Sequence, residues 1–234
     1  MVKIFENIDK LTASLFEEIA SSLKNNNKIN IALSGGSTPY VIFQLLAKNY
    51  NNKIEWNKIH FFWVDERCVS VDNPDSNYGM TKKALLNHIQ ISNENVHRVY
   101  CGKNYQEAVQ KYSAEVKSIV PIINNLPRFD LVLLGVGSDG HTASIFYDQI
   151  HLMKSYEICS LSVHPESKQK RITLTGRVIN NSKKIIFIVT GKNKAVVVSN
   201  ILNKQYELRL PAEYIKPMDG ILDWFLDREA SSLL

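Results

Sequence analysis

The sequence predicts an α/β fold with three layers, in which helices cover both faces of a largely parallel sheet. Short apolar runs of strand length alternate with segments of helical periodicity along most of the chain. The runs are apolar at nearly every position, as expected for parallel strands that are buried on both faces. Several runs end abruptly at glycine-rich or charged turns. Because the carboxyl ends of parallel strands meet at one edge of a sheet, a ligand site is expected there.

The predicted strands are apolar runs bounded by polar or glycine-containing turns, at 29–33, 59–64, 129–134, 158–163, 172–174 and 185–190. The predicted helices are segments in which apolar residues recur every few positions, at 41–48, 78–87, 105–119 and 194–202. This alternation indicates a three-layer αβα, Rossmann-like arrangement. The ten glycines and seven prolines are spread along the chain and mark no linker, so one domain over residues 1–234 is expected.

The composition argues against several classes of protein. The formal charge is +5, but the basic residues are dispersed and form no stripe interleaved with aromatic residues, so no nucleic-acid partner is expected. The longest apolar runs are too short to span a bilayer, and the amino terminus lacks the apolar core of a signal peptide. Cys68, Cys101 and Cys159 lie far apart without metal-ligand spacing, which suits a reducing compartment. We expect a cytoplasmic protein without a membrane partner.

The stretch at 129–146 joins a buried-strand pattern to a glycine-rich turn that presents His141. The segment Thr142-Ala143-Ser144 is predicted to begin a helix. His141 would then lie beside a helix N-terminus at the carboxyl edge of the sheet, where free N–H groups favour anions and developing negative charge. The alternative is a histidine that only caps this helix. Its position among glycines at a strand end favours a functional role.

The same turn contains the G-x-G-x-x-G pattern of dinucleotide-binding folds, formed by Gly135, Gly137 and Gly140. That pattern alone is a weak signal. The dinucleotide site also needs an acidic residue at the end of the following strand, about 20 residues on. Glu157 precedes the apolar run at 158–163 instead of following it. A nicotinamide cofactor is therefore disfavoured.

A second turn has the composition of a phosphate-binding loop, and its residues are Ser34, Gly35, Gly36, Ser37 and Thr38. Two glycines flanked by hydroxyl groups can direct several backbone N–H groups at one phosphate. The proline that follows suits the first turn of a helix. No G-K-[ST] follows, so this is not a Walker loop. An ordinary turn between strand and helix is the alternative.

Charged residues also flank three other predicted strands. Asp65 and Arg67 come directly after the run at 59–64, Arg171 opens RITLT, and Lys194 follows Gly191. Each of them alone could be a solvated surface charge. If they converge on one sheet edge, Arg171 and Lys194 become candidate phosphate ligands, and Asp65 and Arg67 can supply a carboxylate and a guanidinium to a cleft.

The order and spacing of these motifs resemble the 6-phosphogluconolactonase family. The motifs are SGGSTP at 34–39, DER at 65–67, DSNYGM at 75–80, LGVGSDGHTASIF at 134–146, RITLT at 171–175 and GKNKA at 191–195. The closing stretch at 211–224 is also similar to the end of that family's sequences. The resemblance covers nearly the whole chain, and several motifs in order are far more specific than any one of them.

The resemblance implies hydrolysis of 6-phospho-D-glucono-1,5-lactone to 6-phospho-D-gluconate in the oxidative pentose phosphate pathway, with no metal or organic cofactor. It implies that His141 is the general base that activates water. The loop at 34–38 would bind the phosphate with Arg171 and Lys194. Asp139 would orient the histidine or the sugar, while Arg67 and Asp65 would line the pocket. Tyr147-Asp148 and Val64 depart from the family pattern beside these motifs.

Two alternative functions remain at the level of sequence. Glucosamine-6-phosphate deaminases resemble this chain but carry a glutamate five residues beyond the corresponding histidine, where this chain has Phe146. A non-catalytic sugar-phosphate-binding effector domain would carry a DNA-binding module, and the first predicted strand, near residue 29, leaves room for only one helix before it. A monomer or a small homo-oligomer is expected.

Overall fold

The computed structural model describes residues 1–204 and 209–234. Its strands are β1 (Val2–Phe5), β2 (Ile29–Leu33), β3 (Ile59–Trp63), β4 (Asp65–Arg67), β5 (Val96–His97), β6 (Ile122–Ile123), β7 (Leu126–Pro127), β8 (Leu131–Leu134), β9 (Cys159–Val163), β10 (Lys170–Leu174), β11 (Lys184–Val189) and β12 (Ile221–Asp227). Its α-helices are α1 (Ile8–Lys24), α2 (Ser37–Tyr50), α3 (Asn77–Ala84), α4 (Tyr105–Ile119), α5 (Gly176–Asn180) and α6 (Ala195–Asn203).

The main sheet has seven strands in the order β1-β12-β11-β8-β2-β3-β5. Every neighbouring pair in it is parallel. All residues of β2 and β8 at its centre are buried, which explains why these strands have no polar alternation in the sequence. The predicted parallel sheet is confirmed.

Helices cover both faces of this sheet, with a separate hydrophobic core on each face. One core contains Leu15 of α1 and Phe43 of α2, and the other contains Tyr112 of α4 and Val198 of α6. In each helix the buried residues recur at helical spacing and form one apolar stripe. The three-layer αβα prediction is confirmed.

Two predicted strands exist but lie outside the main sheet. The runs at 158–163 and 172–174 correspond to β9 and β10, which form a small antiparallel sheet in the order β4-β10-β9. The connection between β9 and β10 is a short hairpin loop, whereas parallel neighbours need a crossover of a dozen residues or more. Strand β1 was not predicted, and it precedes the first predicted strand at 29–33. In β1, Val2 and Ile4 are exposed at the sheet edge.

The prediction that a helix begins at Thr142 is wrong. Thr142 forms an isolated antiparallel bridge with Ile145, and the Ile145 amide donates to the Thr142 carbonyl at 3.0 Å. Between them Ala143 has a φ of 53°, a left-handed conformation that interrupts a right-handed helix. A 3₁₀ helix follows only at Tyr147–Met153. His141 therefore lies in a tight turn, and no helix dipole acts on it from this segment.

The spacing of the cysteines was expected to suit a reducing compartment, but two of them are paired. Cys68 and Cys101 are 33 residues apart in sequence and form a disulfide. It joins the end of β4 to the segment that follows β5, so the pairing depends on tertiary structure and left no motif. Cys159 is a buried free thiol. Among the described residues, no helix is both long enough and apolar enough to cross a membrane.

Candidate active site

The turns singled out in the sequence meet in one cavity at the carboxyl edge of the main sheet. They follow β2, β8 and β11, while β4 contributes the charged segment next to β3. The cavity has a volume of about 240 Å³ and is lined by Ser34, Gly35, Gly36, Asp65, Arg67, Gly135, Val136, Gly137, His141, Ala143 and Lys194. Four of the predicted site residues, Ser37, Thr38, Asp139 and Arg171, do not line it.

In the loop after β2, the hydroxyl groups of Ser34 and Thr38 are hydrogen-bonded to other protein groups. Ser34 is buried and its Oγ donates to the Leu133 carbonyl at 2.8 Å. Thr38 Oγ1 shares a hydrogen bond with Thr190 Oγ1 at 2.6 Å. Gly36, with a φ of 113°, is the N-cap of α2, so the first N–H groups of this helix have no partner within it. The predicted loop is therefore followed by a helix N-terminus suited to an anion.

His141 is held by Asp139 within the glycine-rich turn. The two atoms Nδ1 of His141 and Oδ1 of Asp139 are 2.6 Å apart. Burial opposes ionisation of Asp139, but its hydrogen bonds to His141 and the attraction between the two groups prevail and lower the pKa of Asp139 to about 2. A carboxylate can only accept, so Nδ1 of His141 carries the proton and donates it. In neutral imidazole this leaves Nε2 free to accept a proton.

Two further contacts set the position of the imidazole. The His141 ring lies against the Phe146 ring with centroids 4.7 Å apart. Gly137 is packed so closely that a Cβ there would overlap both His141 and Asp139. Gly140 has a φ of 81° and closes the turn. The glycines of this motif thus make room for a histidine–carboxylate pair.

Two cations line the cavity. Lys194 donates from Nζ to the Val136 carbonyl at 2.8 Å, and burial lowers its pKa. Arg67 donates from Nη1 to the Asp75 carbonyl at 2.8 Å. Its Nε lies 3.9 Å from Oδ2 of Asp65 and has no hydrogen-bond partner although it is buried. Both cations therefore bring positive charge to the cavity wall.

Arg171 lies directly opposite Arg67 in the small sheet. It is 8% exposed, and its guanidinium carbon lies 5.5 Å from the centre of the Phe146 ring. Its hydrogen bonds go to neutral groups, from Nε to Gln169 at 3.3 Å and from Nη1 to Ser144 Oγ at 3.4 Å. Burial, followed by repulsion from Arg67, lowers its pKa. Arg171 therefore places a further positive charge next to Arg67.

Glu66, in the middle of the DER motif, was not predicted to have a role. Its buried carboxylate accepts hydrogen bonds from the backbone N–H groups of Arg67, Asn77 and Tyr78 at 2.7 to 2.8 Å, and burial raises its pKa. Ser76 is the N-cap of α3, and its Oγ accepts from Gly79 N at 2.9 Å. Glu66 thereby joins β4 to the N-terminus of α3. It holds Asp65 and Arg67 at the cavity without reaching the cavity itself.

Sequence reasoning also missed two residues that fix Asp65. Asn77 donates from Nδ2 to the Asp65 carbonyl at 2.8 Å and to Oδ1 at 3.3 Å. Ser144 donates from Oγ to Oδ2 of Asp65 at 2.5 Å. A Cβ on Gly35 would overlap the Asn77 side chain, so Asn77 also packs against the loop after β2. Both residues stand inside motifs that were noticed, DSNYGM and the histidine turn, but only the fold shows their partners.

Comparison with known proteins identifies the family of the chain. The family described as glucosamine-6-phosphate isomerases/6-phosphogluconolactonase matches residues 5–224. The 6-phosphogluconolactonase of Haemophilus influenzae is 39% identical over 211 residues, which are 89% of each chain. A crystal structure of devB protein has a TM-score of 0.93 and 36% identity over 99% of both chains. The 6-phosphogluconolactonase structure from Trypanosoma brucei has a TM-score of 0.88 and 28% identity, and covers 100% of this chain and 98% of its own. The chain belongs to the glucosamine-6-phosphate isomerase and 6-phosphogluconolactonase family.

Proposed function

We propose that this chain hydrolyses 6-phospho-D-glucono-1,5-lactone to 6-phospho-D-gluconate, the lactone-opening step of the oxidative pentose phosphate pathway. One observation carries the proposal. His141, with Nδ1 held by Asp139, shares a single cavity with Arg67 and Lys194. A general base and fixed positive charge are what an anionic lactone requires. The relatives named 6-phosphogluconolactonase support this choice of substrate.

In the proposed mechanism Nε2 of His141 takes a proton from a water molecule as the water oxygen attacks the lactone carbonyl carbon. The carbonyl carbon becomes tetrahedral and its oxygen becomes an oxyanion, which the positive charge at the cavity wall stabilises. When the intermediate collapses, the bond from the carbonyl carbon to the ring oxygen breaks. The protonated His141 returns its proton to that oxygen. The single product carries a carboxylic acid, which ionises, and a new hydroxyl group.

The phosphate of the substrate is assigned to the loop at 34–38, to Lys194 and to Arg67. The unpaired N–H groups at the start of α2 and the Lys194 ammonium are suited to a phosphate. Arg171 adds positive charge next to Arg67. Asp65 lines the cavity with both carboxylate oxygens already hydrogen-bonded, so it positions neighbouring groups and is not a free base.

The test is the decay of the lactone with and without the purified protein, because this lactone also hydrolyses spontaneously. Acid release at constant pH measures both rates directly. The proposal expects decay well above the spontaneous rate at catalytic protein concentration. Release of ammonia from glucosamine 6-phosphate, with no acceleration of lactone decay, would show that the deaminase alternative is right.

Phe146 argues against that alternative. A deaminase of this resemblance would carry a carboxylate at this position, where Phe146 is fully buried between the rings of His141 and His164. Its ring also faces the Arg171 guanidinium. An aromatic ring packed in this way supports the imidazole but cannot move protons. A non-catalytic sugar-phosphate-binding domain, the other alternative, would need no general base, and therefore gives no reason for the hydrogen bond between His141 and Asp139.

The proposal takes residues 1–234 as one catalytic domain, and the match of the family to 5–224 supports this. It also includes a cytoplasmic location and a monomer or small homo-oligomer. Gel filtration coupled to light scattering would measure the oligomeric state.

A further inference from the structure

Ser144 is a fully buried residue whose hydroxyl contacts two charged groups. Its Oγ donates to Oδ2 of Asp65 at 2.5 Å and accepts from Nη1 of Arg171 at 3.4 Å. A serine hydroxyl has one hydrogen to donate and two lone pairs to accept, so it can make both bonds at once. The Ser144 carbonyl accepts a hydrogen bond from Ser162 Oγ at 2.5 Å, and its amide contacts Thr173 Oγ1 at 3.3 Å. The residue is therefore fixed on all sides.

These contacts belong to a closed ring of polar groups around the two arginines. From Ser144 the ring passes through Arg171 to Gln169 and on to Asp75, whose Oδ2 accepts from Gln169 Nε2 at 3.0 Å. The Asp75 carbonyl accepts from Arg67 Nη1 at 2.8 Å. Arg67 Nε and Asp65 Oδ2 are 3.9 Å apart, and Asp65 returns the ring to Ser144. Only the step between Arg67 and Asp65 lacks a hydrogen bond.

We propose that Ser144 is a positioning residue that holds the Asp65 carboxylate away from Arg67, so that the Arg67 charge stays available to the substrate phosphate. Two observations support this. Arg67 Nε is a buried donor without a hydrogen-bond partner, and the carboxylate oxygen nearest to it is the one that Ser144 binds. Without the hydroxyl, Oδ2 of Asp65 loses this short hydrogen bond while the Arg67 donor remains unpaired beside it. The present ion pair at 3.9 Å then shortens to a hydrogen-bonded one, and this reduces the positive charge that Arg67 offers to the phosphate.

The experiment compares Ser144→Ala with the unaltered protein in two assays. Binding of inorganic phosphate is measured by titration calorimetry, and KM and kcat are measured with the phosphorylated lactone. Weakening of one charge-assisted contact predicts a rise of about tenfold in the phosphate dissociation constant and in KM, with kcat changed by less than about threefold. The same variant should bind unphosphorylated glucono-1,5-lactone as the unaltered protein does, since that ligand has no phosphate.

Ser199→Ala is the matched control. Ser199 is another buried serine whose hydroxyl donates to a backbone carbonyl, that of Leu233 at 2.8 Å, and it does not line the cavity. It should lower the melting temperature without altering phosphate binding. If Ser144→Ala does the same as this control, Ser144 is only a structural residue and the proposal is wrong. If Ser144→Ala does not fold, Ser144→Cys keeps a similar volume with a much weaker donor and is tested for the same changes.

A double-mutant cycle tests the mechanism itself. With Asp65→Asn already present, residue 65 cannot neutralise Arg67, so adding Ser144→Ala should change phosphate affinity by less than about twofold. An effect as large as in the unaltered background would overturn the pairing argument. The lactone measurements rest on the proposed function, but the calorimetric measurements do not. If the protein is not a lactonase, lactone decay is not accelerated, while phosphate binding still compares Ser144→Ala with the unaltered protein. If only the role of Ser144 is wrong, lactone decay is accelerated but phosphate binding is the same in both proteins.

Discussion

The cavity combines two charged assemblies that the chain builds in opposite ways. His141 and Asp139 lie two residues apart in one turn, and their side chains are 23% and 53% exposed. Arg67 and Arg171 come from different strands, and their partners are Asp75, Gln169 and the buried Ser144. The first assembly depends on the conformation of one turn. The second depends on the small antiparallel sheet being formed and packed correctly, so damage to the fold should affect the two differently.

Asp139→Asn should have the largest effect, and it acts on the local assembly alone. An asparagine at this position can donate to Nδ1 of His141 and favour the tautomer that protonates Nε2, which removes the base. We expect kcat to fall about a hundredfold or more, with little change in melting temperature because Asp139 is exposed. Steady-state kinetics and a thermal melt measure both quantities. Asp148→Asn, an exposed carboxylate outside the cavity lining, is the control and should behave as the unaltered protein. An active Asp139→Asn enzyme would remove the orienting role.

Reduction of the Cys68–Cys101 disulfide should act on the distributed assembly, because Cys68 directly follows Arg67. The disulfide closes a loop and so reduces the conformational freedom of the unfolded chain. Loss of the disulfide should lower the free energy of unfolding by about 3 to 4 kcal/mol. Urea denaturation with and without dithiothreitol measures the difference. The Cys68→Ser/Cys101→Ser double variant should not respond to the reductant. A reductant effect of equal size in that variant would assign the change to something other than this bond.

Lys194→Ala should mainly raise KM, since Lys194 is proposed to contact the phosphate. Loss of one charge-assisted contact costs about 1.5 to 3 kcal/mol, which corresponds to roughly tenfold to over a hundredfold in binding. Lys192→Ala removes an exposed lysine from the same short 3₁₀ helix, Lys192–Lys194, and is the control. Arg171→Ala should also raise KM, together with a loss of stability because Arg171 is buried. If KM is unchanged in both Lys194→Ala and Arg171→Ala, neither cation serves the phosphate.

The smallest expected effect is the change with acidic pH in the stability that the His141–Asp139 pair contributes. The pKa of Asp139 falls from an ordinary 3.8 to about 2 in the folded protein. A depressed carboxyl pKa stabilises the folded state above the unfolded value, and this contribution is lost as the pH falls from about 4 through about 2. Its size is small because the carboxylate is exposed. Over this pH range the melting temperature should fall slightly more in the unaltered protein than in Asp139→Asn. Identical slopes would mean that the pair contributes no measurable stability.

Features that depend on one local segment could be predicted from the sequence, and features that depend on tertiary contacts could not. The central strands and the cavity residues of the histidine turn, the loop after β2 and the Lys194 turn were predicted because each has a local pattern of apolar runs and glycines. The antiparallel pairing of β10 with β4 was not predicted, since a short apolar run does not reveal which strand it joins. The helix predicted at Thr142 failed because the left-handed Ala143 has no signature in its residue type. The roles of Ser144 and Asn77 and the Cys68–Cys101 pairing depend on tertiary contacts alone.

The central claim is that His141 is the base of a phosphosugar lactone hydrolase, and His141→Ala tests it most directly. The measurement is the decay rate of 6-phospho-D-glucono-1,5-lactone with the unaltered protein, with His141→Ala and with His164→Ala, which removes the histidine on the other side of Phe146. The account predicts that the unaltered protein and His164→Ala accelerate decay strongly and that His141→Ala loses about a hundredfold or more of this acceleration. Undiminished lactonase activity in His141→Ala would contradict it.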